Sequence, residues 1–391
     1  MGPKLKGDAT IILTTVSFVV FFCSIVGGQS LVYLMPRANA PKLVWPSYVW
    51  TVAVCFSAFM VLSFFGIFSW KRSLNISFLS LLFSLVNIHA SVLLAKQEIR
   101  KYNRLFGLPV LLTLILLTVF LWCGYSTSIY PYLYALYISY VITLIVSIWY
   151  CRSYFHAVPL QLLFTDLDES FRHGTSYQLL ELLQLLGFRF YFYLLYHLQG
   201  AHDLGLYSIG VSIVEFAWVF ARSVSAVHYA DFSNNGNGQV IIRETVRYLK
   251  FSLIVSFVFL LAVAVCPISI YSAVFGEKFT YVKYTVKWLF PGIWMYNVVL
   301  VIQSYYLSRG SYSKLIVSHL AGTLIMVLGC YFLIPTYFFS GASAAASLSF
   351  IITSLILLRL FMKDAKIKMS AFFLNQEDWN VMKHITSKFR K

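Results

Sequence analysis

Residues 175–232 read TSYQLLELLQLLGFRFYFYLLYHLQGAHDLGLYSIGVSIVEFAWVFARSVSAVHYADF. Two apolar runs, about 176–198 and 205–229, are joined by the short turn QGAHD. Each is long enough to cross a bilayer, which takes roughly 20 helical residues. Yet the pair carries Glu181, Arg189, His197, Glu215 and Arg222. An ionisable group deep in a membrane helix is costly, so it faces a polar interior, a partner or a water-filled pathway. Glu215 and Arg222 are seven residues apart, which on a continuous helix puts them on one face. Long side chains near run ends snorkel to the interface, which accounts for His197 and Glu181. Arg189 and Glu215 sit near mid-run and are expected to line an aqueous or substrate cavity.

The composition generalises this pattern to the whole chain. Of 391 residues, 60% are hydrophobic and only 11% charged, with a mean hydropathy of +0.77. A soluble domain carries about 25% charged residues. The expected class is all-α: a polytopic membrane protein of about eleven transmembrane helices. A β-barrel is excluded, because its segments are alternating stretches of about ten residues. The runs fall at about 9–34, 46–68, 74–97, 106–124, 131–151, 176–198, 205–229, 249–272, 283–307, 313–335 and 341–362. Thirty Lys and Arg against 14 Asp and Glu give a formal charge of +16. In a membrane protein this bears on orientation and anionic lipids rather than nucleic acid. The basic clusters, among them Lys96, Arg100, Lys101, Arg104, Arg152, Arg243, Arg247, Arg309 and Lys314, fall in alternate connections. Those connections are assigned to the cytoplasm, which leaves Met1 outside.

The first run is too long for the apolar core of a cleaved signal peptide. Cys23, Cys55, Cys123, Cys151, Cys266 and Cys330 form no C-x-x-C pair and read as small packing residues. The longest connection, 152–175, contains Asp166 and Asp168. D-x-D is a spacing with which nucleotide-sugar transferases hold a metal, but no α/β domain surrounds it, so it reads as a cap of an interfacial helix. Residues 233–239, SNNGNGQ, read as a flexible turn. The chain therefore divides into an N-terminal bundle of five helices (1–151), a cytoplasmic linker (152–175), a C-terminal bundle of six (176–363) and a basic cytoplasmic tail (364–391). In the tail, Trp379, Met382 and Phe389 at roughly helical spacing suggest a membrane-surface segment.

The halves also repeat. Residues 7–37 occupy a place like that of 205–232, both opening on Gly after a polar turn. The Gly205 helix is second in its half, whereas the Gly7 helix has only Met1–Lys6 ahead of it. A six-plus-six design lacking its first helix is the expectation.

The motifs resemble a family. MGPKLKGDATIILTTVSFVVFFCSIVGGQSLVYLMPR, residues 1–37, is similar to the early LGPxxxGxYxLA…LGxxxALVRxxP stretch of O-antigen-type oligosaccharide-lipid flippases. These belong to the multidrug/oligosaccharidyl-lipid/polysaccharide exporter superfamily. Leu204–Gly205–Leu206–Tyr207–Ser208 resembles the LGxYS entry to a C-terminal helix, with Glu215 and Trp218 following. Phe275–Gly276–Glu277–Lys278–Phe279 and Leu289–Phe290–Pro291 resemble FGxxF…LxP. Ser308–Arg309–Gly310, Leu333–Ile334–Pro335 and Gly341–Ala342–Ser343–Ala344–Ala345 resemble the late G…LIPxxGxxGAAxA run. The chain departs at Phe188–Arg189–Phe190, where the family often has an acidic residue, and at Tyr33, in place of an Arg.

The resemblance implies a non-enzymatic transporter of the cytoplasmic (inner) membrane, with no cofactor. It flips a polyprenyl-diphosphate-linked glycan for surface polysaccharide assembly, by alternating access of two bundles. Membrane lipids and other polysaccharide-assembly membrane proteins are the partners expected. Arg would hold the diphosphate through its bidentate geometry, and aromatic rings would meet sugars. Candidate substrate-binding residues are Arg189, Arg222 and Glu215, with His89, Lys287, His319 and Arg359 from other runs. For the last four, bonding between helices or snorkelling is an equal alternative. A membrane-embedded glycan polymerase or ligase would need a catalytic outer loop, and the outer connections here are short. A cation-coupled drug exporter would want paired intramembrane carboxylates, and cations outnumber them here.

Overall fold

The computed structural model describes residues 2–28, 31–32, 35, 40–124, 128–154, 167–223, 225 and 238–372. Among them the principal elements are helices and there is no strand. They are α1 (Pro3–Gly27), α2 (Ala40–Phe64), α3 (Trp70–Ala95), α4 (Ile99–Trp122) and α5 (Tyr130–Cys151), then α6 (Leu167–Glu215), α7 (Gly238–Val265), α8 (Ile268–Phe275), α9 (Val282–Ser308) and α10 (Tyr312–Ala365). Nine of these described elements contain a window long and apolar enough to cross a membrane. The chain is a multi-pass membrane protein.

Nine elements become eleven passes because α6 and α10 each fold back on themselves. In α6 the helical conformation fails at Gly200, where φ is 83° and ψ is −178°. That conformation is close to glycine-only. Tyr191 and Tyr207, on either side of it, stack edge-to-face at 5.5 Å, and Arg189 reaches Glu215. Residues from opposite sides of Gly200 thus meet, as in two antiparallel arms. In α10 the break is at Phe338, φ 52°, and Ser349 Oγ donates to Gly322 O at 2.7 Å across the arms. Sequence reading put a stop at Pro335, but the helix continues through it, and the turn comes three residues later. Proline weakens the ladder without dictating where the chain reverses.

Helix starts differ from expectation too. α1 begins at Pro3, taking residues that read as a polar lead-in, because proline at the first helical position forfeits no intrahelical hydrogen bond. α4 begins at Ile99, so Arg100, Lys101 and Arg104 lie on its opening turns. Cys23, Cys55, Cys151 and Cys330 are buried as packing residues, while Cys123 is exposed and Cys266 half-buried.

Two compact units emerge, Met1–Leu182 and Leu183–Lys391, with the boundary inside α6. In the first, α3 is the hub, packing on α1, α2 and α5. It carries Ser73, Ser77, Ser80 and Ser84, all buried, and small residues let membrane helices approach closely. Gln178, on the opening arm of α6, donates to Ser24 O of α1 at 3.1 Å. In the second unit, α9 is the hub between α7 and α10. The run SGASAAAS at 340–347 is all small residues, which let membrane helices pack closely. A Cβ on Gly292 of α9 would lie 2.4 Å from Ser347 Cα, and the Gly292 amide donates to Ser347 Oγ at 2.8 Å.

Asp166, the side chain of Asp168, residues 233–237 and everything beyond Phe372, including Trp379, Met382 and Phe389, lie outside the described residues.

Candidate functional site

Arg189 lies on the first arm of α6, in the second unit, and its partner comes from the returning arm. Its Nη1 donates to Glu215 Oε1 at 3.0 Å and its Nη2 to Oε2 at 3.2 Å. This is the two-pronged pairing that makes guanidinium–carboxylate contacts strong and directional. The guanidinium also stands 5.3 Å from the Phe192 ring centroid. The pair is not sealed: its side chains keep 30% and 21% of their exposure. At this depth a lone ion is expensive, and the fork neutralises both partners at once. In the structure the partner of Arg189 is Glu215.

Between Glu215 and Arg222 the regular helix is interrupted. α6 ends at Glu215, and the next bonds, Phe216 N to Ile213 O and Ala217 N to Val214 O, tighten the backbone to a three-residue step. That step rotates everything beyond it. Arg222 is exposed, its guanidinium 5.5 Å from the Trp218 ring.

Beside the ion pair the second unit builds a layer that the charged residues alone did not announce. Gln184 Nε2 donates to Gln303 Oε1 at 3.1 Å and lies 3.4 Å from His319 Nε2. His319 is buried, with its ring 6.2 Å from that of Tyr296. Phe188, Trp218, Tyr296 and Phe350 form a closed tetrad with centroid separations from 5.0 to 5.8 Å. The Trp218 indole donates to Ile293 O at 3.0 Å, so its ring has a fixed orientation. A space of about 10 Å³ opens among Gln184, Phe188, His319, Thr323, Ser349 and Thr353. That is about the room one water needs.

The remaining candidates separate. His89 belongs to the first unit, 2% exposed, with Nδ1 at 2.6 Å from Ser147 Oγ and Nε2 against the Tyr48 hydroxyl. It ties α3 to α5 and α2. Lys287 and Arg359 are exposed on α9 and α10. The structure therefore gathers Arg189, Glu215 and His319 in one unit and leaves His89 in the other. Among the described residues no cluster of metal-binding side chains occurs.

No protein-family model matches the sequence. No curated protein matches it either. Solved structures do. An inward-facing multidrug resistance MATE family transporter of the MOP superfamily aligns with a TM-score of 0.68 at 12% identity, over 93% of this chain and 91% of that one. The lipid II flippase MurJ, in an inward closed conformation, aligns at 0.66 and 14% identity, over 94% and 83%. A MOP superfamily transporter from Pyrococcus furiosus, described by a binding pocket of reverse polarity, aligns at 0.60 and 11%, over 93% and 89%. At such identities the likeness is one of architecture: this chain has the fold of the MATE transporters and the flippase MurJ.

Proposed function

We propose that the protein moves a lipid-diphosphate-linked oligosaccharide across the membrane for surface polysaccharide assembly, as a transporter rather than an enzyme. The observation that carries this reading is the forked contact of Arg189 with Glu215. A guanidinium set for two parallel N–H···O bonds accepts a phosphate in the same geometry as a carboxylate. Exchange of Glu215 for a diphosphate lets the cargo shed water without leaving its charge unpaired. Likeness to a lipid II flippase supports a lipid-linked cargo.

The test is accumulation of lipid-linked glycan in a deletion strain. Build-up on the cytoplasmic leaflet, relieved by the wild-type gene and not by Arg189→Ala, is the expected result. Single units accumulating outside indicate a polymerase instead. A second reading, multidrug export, draws on the MATE likeness; it predicts drug sensitivity in the deletion strain with normal glycan display.

A further inference from the structure

One end of the first unit carries a basic collar that the transport reading does not use. The α3–α4 turn and the C-terminal end of α5 converge there, because the Tyr154 hydroxyl donates to Glu98 Oε1 at 2.9 Å. Lys101 Nζ bridges both oxygens of the same carboxylate, at 3.0 and 2.9 Å. Lys96 stands 5.9 Å from the Tyr154 ring centroid, Lys101 5.9 Å from that of Tyr150, and Arg152 5.7 Å from that of Trp149. Lys96, Arg100, Arg104 and Arg152 are exposed. Glu98 is already committed to Lys101 and Tyr154, so the collar presents four cations.

What lies beneath the collar identifies its occupant. α4 buries only Leu105 and Pro109, and its Val110, Leu111, Leu114 and Ile115 are 58% exposed or more. Arg100, Arg104, Leu111 and Ile115 succeed one another at spacings of four, seven and four, which is one face of a helix. A cationic cap therefore continues into an apolar strip along a single line. That is the profile of a phospholipid, phosphate above and acyl chain below. Tyr150, Tyr154 and Trp149 form the aromatic band usual at headgroup depth.

We propose that this collar is a binding site for anionic phospholipid, and specifically for a diacidic headgroup whose two phosphodiesters match the four cations. Arg100 and Arg104 hold one phosphate, Lys96 and Arg152 the other, and an acyl chain lies along Leu111 and Ile115. The site is independent of Arg189 and of any cargo.

The experiment is native mass spectrometry of the full-length, delipidated protein titrated with cardiolipin, phosphatidylglycerol or phosphatidylcholine, read alongside its thermal midpoint. Cardiolipin binds most tightly and phosphatidylcholine most weakly. Each surface cation near a phosphate contributes a factor of about five, so Arg100→Gln with Arg104→Gln weakens cardiolipin binding about thirty-fold. Lys96→Gln with Arg152→Gln does the same, a second route should the first pair lower the midpoint. Lys4→Gln with Lys71→Gln, exposed at the opposite end of the unit, leaves binding unchanged. Equal losses from the opposite-end variant, or equal affinity for phosphatidylcholine, overturn the proposal. So does displacement of cardiolipin by undecaprenyl diphosphate at equimolar concentration, which would assign the collar to cargo.

Discussion

Arg189 shows how one side chain answers two demands. Its fork on Glu215 makes a charge tolerable within a membrane span, and the remaining exposure of both groups leaves the fork reachable. Removing one partner strands the other, a loss of about 3–5 kcal/mol for a buried pair and less here, where both keep some exposure. Arg189→Ala should therefore lower membrane abundance as well as transport. Arg189→Met combined with Glu215→Leu separates the roles, since replacing both ions by apolar groups is often neutral for stability. We expect abundance to return towards wild type while glycan transport stays lost, measured by immunoblot and by surface polysaccharide. If transport returns with abundance, the pair is a strut alone. His89 is the contrasting case. His89→Ala removes contacts with Ser147 and Tyr48 and should cost about 1–3 kcal/mol, lowering the thermal midpoint of the purified protein, with transport falling only as abundance falls.

At the scale of elements, the reversals at Gly200 and Phe338 decide the topology, and their causes differ in legibility. QGAHD announced a turn through its composition, and glycine occupies the one position with a left-handed φ there. Phe338 announced nothing, because a bulky residue at φ 52° is held by the packing of the arms it joins. The run SGASAAAS was legible as a close-packing face, and Gly292 against Ser347 is where that face is tightest. Gly292→Val has no flexible neighbour to displace and should cost at least about 3 kcal/mol. Gly200→Ala meets nothing within 4 Å, so only its backbone strain counts, about 1–3 kcal/mol. Thermal unfolding in detergent ranks them, with Gly292→Val the more damaging. The α3–α4 turn adds a pH dependence. Hydrogen bonds from Lys101 first and Tyr154 second hold the Glu98 carboxyl below its ordinary value of 4.5. A depressed folded pKa contributes stability above the unfolded value that is lost as pH falls through the folded one. Wild type should lose that increment on acidification below about pH 4.5, and Glu98→Gln should show a flatter acid limb in a pH series of thermal midpoints.

For the whole molecule, apolar run length was enough to give the membrane-spanning helices seen among the described residues. The Gln184–Gln303–His319 layer was not legible, since amides and an imidazole spread over three runs have no spacing in common until the helices pack. The interruption of the helix between Glu215 and Arg222 was not legible either, because hydropathy does not register a break in helical phase. Orientation remains a matter of charge. In the second unit Arg309 follows the end of α9 and Gly200 marks the bend of α6. Alkaline phosphatase inserted after His202 should be active, and inserted after Arg309 inactive. The reverse pattern would turn the protein over and place the collar of α3, α4 and α5 in the outer leaflet.

The two-armed form of α6 also bears on how the chain is made. Arg189 leaves the ribosome 26 residues before Glu215, and a lone arginine at mid-bilayer is among the most costly passengers a nascent helix can carry. With Gly200 as the bend, both arms can leave the insertion machinery together as one hairpin, their charges already cancelled. Glu215 is then a chaperone encoded in cis, protecting the arginine at the moment of synthesis. On that view Glu215→Leu should stall or misplace the first arm during insertion, before any cargo has been met.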